Sequence, residues 1–208
     1  EGEVYAFSSF CTALVFWLIL KWENRADQPL SDRYLILIAY VIGISIAVHL
    51  LNLLCVPAIV LVFYYRKTKN ATLKGSLLAL LLSFVLVALI LYGLVPGFIS
   101  VAQRFELFFV NVLGMGYNSG VIVYALLTVA VFVWTLYSLY RQTSRTNILI
   151  GTFLSVILSG MPFIGHSWLI PFVLIVALGV YLFGLCKKIP VRIFSVSVWS
   201  IFVIFIGY

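Results

Sequence analysis

The stretch that decides the fold is Tyr34–Tyr65, YLILIAYVIGISIAVHLLNLLCVPAIVLVFYY, an apolar run of 32 residues. As one straight helix it would be about 48 Å long, against a bilayer hydrocarbon core of about 30 Å. As two short arms it returns to the side it left. The flanking charges decide between these readings. The short polar loops hold Lys21, Arg25 and Arg33; Arg66, Lys67, Lys69 and Lys74; Arg141 and Arg145; and Lys187, Lys188 and Arg192. With a hairpin, twelve of the thirteen Lys and Arg residues share one side and only Arg104 lies opposite. With a single crossing they divide four to nine, against the tendency of Lys and Arg to remain on the cytoplasmic side. The hairpin is therefore predicted. Its turn falls near His49–Asn52, with Pro57 in the first turn of the returning arm, where its missing N–H costs least.

Outward from this run, the chain reads as a polytopic all-α membrane bundle. It is 64% hydrophobic and 9% charged, with a mean hydropathy of +1.21, where soluble domains carry roughly a quarter charged residues. The net charge of +7 is spread over short loops, which suits orientation in a membrane and contact with its lipid rather than nucleic-acid binding. Spans are expected at Val4–Leu20, the two arms of Tyr34–Tyr65, Gly75–Val95, Val121–Tyr140, Asn147–Met161, Leu169–Cys186 and Ile193–Tyr208, about eight crossings in all. Residues 1–208 form a single transmembrane segment in this reading. The opening Glu1-Gly-Glu3 and the ending Gly207-Tyr208 suggest a piece of a longer protein. In the outer connection Pro96–Gly120, helical spacing puts Ser100, Gln103, Arg104 and Asn111 on one face of residues 98–113, predicting a helix in the outer interface.

Few residues offer chemistry. Cys11, Cys55 and Cys186 are too scattered for a disulfide framework or a metal site, and no metal-ligand cluster stands out. Glu3 at the outer end of the first span is a candidate for positioning or deprotonating an acceptor hydroxyl, or simply complements the helix dipole. His49 and Asn52 share a helical face at membrane depth, where polar groups are costly and default to functional candidates. They serve equally as a pair that satisfies backbone groups freed at the turn. The loop Gly114-Met-Gly-Tyr117-Asn118-Ser-Gly120 offers backbone N–H groups to a phosphate, or is an ordinary turn. His166 lies in a second outer loop beside Trp168. No span has Asp, Glu, Lys or Arg near its centre, which argues against an ion-coupled pump.

Three pieces together carry a resemblance: Glu1-Gly-Glu3-Val-Tyr5-Ala; Lys21-Trp22-Glu23; and the ordered run Gly43–Ala58 around His49, Asn52 and Pro57. They resemble the domain of unknown function 2723 family of Bacteroidetes envelopes, whose animal relative is transmembrane protein 260, a protein O-mannosyltransferase. Weaker echoes are Gly116–Gly120 and Gly160-Met-Pro162-Phe163. The resemblance implies a GT-C-like fold, a multi-pass place in a bacterial inner membrane and an extracytoplasmic site. It also implies a polyprenyl-phosphate-linked sugar donor, a protein acceptor and an acidic motif upstream of Glu1. In that frame Glu3 would act in catalysis, and His49, Asn52, Tyr117 and Asn118 would line the substrate site, with Arg104 on the lipid phosphate. No cofactor is called for, the metal requirement stays open, and the segment alone would be inactive. A lipid or glycan transporter, or a non-catalytic membrane scaffold, are the competing readings.

Overall fold

The computed structural model describes residues 2–165, 167–185 and 189–208. Glu1, His166 and residues 186–188, with Cys186, Lys187 and Lys188, lie outside the described residues. Among the described residues every regular element is helical: α1 (Gly2–Arg25), α2 (Asp32–Val48), a 3-10 turn (Leu50–Leu54), α3 (Cys55–Lys67), α4 (Leu73–Ala88), a π-helical segment (Leu89–Leu94) and α5 (Val95–Asn111). Then follow α6 (Ser119–Tyr140), α7 (Arg145–Leu158), α8 (Leu169–Val180), a second π segment (Tyr181–Leu185) and α9 (Val191–Gly207). Four helical runs, Gly2–Arg25, Leu50–Lys67, Leu73–Asn111 and Ser119–Tyr140, are long and apolar enough to cross a membrane. The shorter apolar helices complete a helical membrane bundle. Its contacts divide into two compact units, residues 1–88 with 199–208, and residues 89–198.

In the first unit α2 and α3 both pack on α1, with the break between them at His49–Leu54. Pro57 is the third residue of α3, where no intrahelical donor is lost. The basic ends meet. The Arg66 guanidinium pairs with the Asp27 carboxylate, and its Nε donates to Glu23 O at 3.0 Å. Lys67 Nζ donates to Ala26 O at 3.3 Å and lies 5.8 Å from the Trp22 ring. Trp22 is fully buried and stacks on Phe63 at 5.0 Å. The loop after α1 and the end of α3 are therefore at one end of this unit, as a hairpin requires. A single crossing would have put them at opposite ends.

In the second unit α5 is a helix where one was expected over residues 98–113; the backbone is helical from Leu73 through the π segment into α5, and residues 112–118 link α5 to α6. Pro96 is tolerated because it sits in the first turn of α5, where its N–H would have no helical partner. The α6–α7 seam is lined by small polar residues. Thr128, Thr135, Ser138, Thr152 and Ser155 are all buried, and the Thr135 and Ser155 hydroxyls meet at 3.3 Å. Without a hydrophobic force between helices in lipid, such residues allow close approach and hydrogen bonding. Gly97 and Gly160 touch through their backbones; a Cβ on Gly97 would lie 2.1 Å from Gly160 O. That contact gives the stretch Gly160–Phe163 a packing role against the start of α5.

Candidate functional site: the α2–α3 elbow

The elbow is built by His49. Its backbone turns extended (φ −154°, ψ 116°), ending α2, while its N–H still bonds Ser45 O at 2.7 Å. Its Nδ1 accepts from the Leu51 N–H at 3.2 Å, capping the 3-10 turn. With Nδ1 engaged as an acceptor, Nε2 is the ring nitrogen left to donate toward a ligand. The ring packs on Tyr5 of α1, centroid to centroid at 5.5 Å.

Asn52 locks the elbow to α1. Its Oδ1 accepts from Ser8 Oγ and Thr12 Oγ1, both at 2.9 Å, one helical turn apart. Asn52 is buried and its Nδ2 has no partner. Leu50, Leu51 and Leu54 around it are exposed, an apolar rim suited to lipid. Tyr5, Ser8 and Thr12 share the face of α1 that meets the elbow. Glu3 does not: two residues before Tyr5, it lies about 200° around the helix from it, and it is exposed. The structure thus joins His49 and Asn52 through α1 but leaves the predicted third member, Glu3, facing away.

The other predicted residues are in the second unit. The Asn118 N–H donates to Glu106 Oε1 at 2.5 Å and the Val121 N–H to Oε2 at 3.1 Å. A carboxylate fixed on α5 therefore caps the start of α6 and complements its dipole. Of the loop amides expected to meet a phosphate, that of Asn118 is taken by Glu106, whose role the sequence did not reveal. Tyr117 is exposed, and Asn118 takes a left-handed backbone (φ 69°), turning the chain rather than presenting its side chain as a cap. Gly120 is required by the same contact: a Cβ there would lie 2.4 Å from Phe105 O.

Arg104 lies on α5, the helix before this turn. Of the four residues expected on the wet face of α5, Gln103 and Asn111 are exposed and Ser100 is half-buried. Arg104 is drawn back against two aromatic rings, 4.2 Å from Trp168 and 5.4 Å from Phe163. Cation–π attraction of this kind strengthens where water is excluded. Its Nη1 is buried with no partner. Beside it lies a groove of about 490 Å³ lined by residues including Ser100, Gln103 and Phe163.

Among the described residues no group of three or more His, Cys, Asp or Glu gathers as metal ligands would. No curated protein and no solved structure matches the chain. A family model described as "Protein O-mannosyl-transferase TMEM260 N-terminal domain" matches residues 1–72. That segment covers α1, α2, the elbow and α3, and it is over this segment that the chain is similar to the TMEM260 N-terminal domain.

Proposed function

We propose that the chain is the membrane-embedded part of a GT-C-type glycosyltransferase, a DUF2723-like protein of a bacterial inner membrane. It moves a sugar from a polyprenyl-phosphate donor to a protein acceptor on the extracytoplasmic face. The observation that carries this reading is the similarity of residues 1–72 to an O-mannosyltransferase domain, with the elbow inside the matched segment. In the reaction an acceptor oxygen attacks the sugar's anomeric carbon, the bond to phosphate breaks and polyprenyl phosphate leaves. The acceptor's proton passes to a carboxylate base, which the resemblance puts upstream of Glu1. The elbow's part is to donate: His49 from Nε2 and Asn52 from its unpartnered Nδ2, toward sugar hydroxyls or phosphate oxygens. In the second unit, Arg104 offers a buried, unpaired N–H to a lipid phosphate. Tyr117 and Asn118 serve the loop that turns into α6.

Glycosylation by the full-length protein tests this. His49→Ala should lower transfer by roughly a hundredfold, the usual cost of one well-placed donor, with expression and membrane insertion kept. Glu3→Gln should leave transfer near normal because Glu3 faces away from the elbow. Normal activity per folded His49→Ala molecule would make the residue a structural cap and remove the proposal's centre. A broken helix at a polar site is also how transporters hold their cargo. Lipid translocation without sugar transfer would favour that second reading.

A further inference from the structure

At the basic end of the first unit, two cations gather where no carboxylate meets them. Arg25 ends α1 and Arg33 is the second residue of α2. Arg25 Nη1 donates to the Tyr34 hydroxyl at 3.0 Å and Arg33 Nη2 to the same oxygen at 3.4 Å. The Arg33 guanidinium also lies 5.1 Å from the Tyr34 ring. Among the described residues neither arginine is in a salt bridge: Asp27 is taken by Arg66 and Lys67, and Asp32 has an interaction of its own. Two like charges sharing one neutral oxygen repel each other, and an anion between them relieves that repulsion. Tyr34, already an acceptor, keeps its own O–H to donate to such an anion.

The cations sit at the mouth of an apolar groove. Arg33, Tyr34, Ile36, Leu37, Tyr40 and Val203 line this open groove of about 500 Å³. From Arg33 to Tyr40 α2 rises about 10 Å, the depth over which a membrane lipid passes from headgroup into acyl chain. Leu37 and Tyr40 are exposed along it.

We propose that this groove binds an anionic phospholipid of the surrounding membrane, with its phosphate at Arg25, Arg33 and Tyr34 and an acyl chain along Leu37, Tyr40 and Val203. The charge favours an anionic headgroup over a zwitterionic one. The apolar walls favour a lipid over free phosphate, which has nothing to place there. The site rests on the membrane reading of the fold and not on sugar transfer.

The test is native mass spectrometry of the full chain released from nanodiscs holding phosphatidylglycerol and phosphatidylcholine in equal amounts. Retained phosphatidylglycerol should exceed phosphatidylcholine by roughly tenfold or more, from two cations near the surface. The double variant Arg25→Gln/Arg33→Gln should bring the ratio close to one. Leu37→Trp, which fills the groove and leaves both cations, should remove the adduct. Lys69→Gln, at the same end but off the groove, should keep the preference. The site is overturned if Lys69→Gln costs as much as the arginine pair, since the effect is then only the surface field. It is overturned equally if inorganic phosphate displaces the lipid, or if the wild type retains none and Leu37→Cys cross-links to another part of the chain. His49→Ala should leave lipid retention unchanged, so this proposal and the sugar-transfer proposal fail separately.

Discussion

Two long apolar runs meet the same geometric problem and solve it differently. Tyr34–Tyr65, 32 residues long, breaks at His49; Leu73–Asn111, 39 residues long, stays helical. Both contain a proline, so proline alone does not decide. In the first run a histidine caps the new turn and an asparagine ties it to α1, so the Leu51 N–H and the Asn52 carbonyl oxygen find partners. In the second run nothing comparable stands at Leu89–Leu94, and the backbone absorbs the irregularity as a π segment. A membrane helix breaks where polar groups satisfy the break. The elbow is a built feature, and a built polar feature at membrane depth is where function is best sought.

Substitutions can break this comparison, beginning with the largest effect. Gly120→Leu should separate α5 from α6, since its Cβ would meet Phe105 O at 2.4 Å. The cost is about 3 kcal/mol or more for overpacking against backbone, read as loss of folded protein in detergent. Asn52→Leu should cost about 1–3 kcal/mol, because it strands the Ser8 and Thr12 hydroxyls in the elbow; a thermal melt would show it. The equivalent change in the unbroken run, Tyr92→Leu at an exposed position, should fall within about 0.5 kcal/mol. Glu106→Ala should cost about 1 kcal/mol by uncapping α6, with faster hydrogen exchange at Asn118 and Val121. Asp27→Asn should also be small, at most about 1 kcal/mol for an exposed pair.

The elbow was legible because two independent signals coincide on His49–Pro57: a run too long for one crossing, and basic residues that fall on one side only if the chain turns. The helical class was legible from hydropathy. The rest depends on partners distant in sequence. Arg104 looks like the lone outer cation until Phe163 and Trp168, about sixty residues later, fold onto it. Glu106 looks solvated until the α5–α6 turn brings the Asn118 amide to it. Glu3 is different, because helical phase, which is present in the sequence itself, already sets it nearly opposite Tyr5 on α1. The π segments have no sequence signature at all.

The central claim is that the chain turns back at His49–Leu54, placing residues 23–33 and 66–74 on one side of the membrane. It is tested most directly by single-cysteine labelling in intact cells, with Cys11, Cys55 and Cys186 replaced by alanine. The account predicts that Gln28→Cys and Lys69→Cys are both protected from an impermeant thiol reagent and both react once the membrane is opened, while Met115→Cys reacts from outside. Labelling of Lys69→Cys in intact cells with Gln28→Cys still protected would show a single crossing and contradict the elbow.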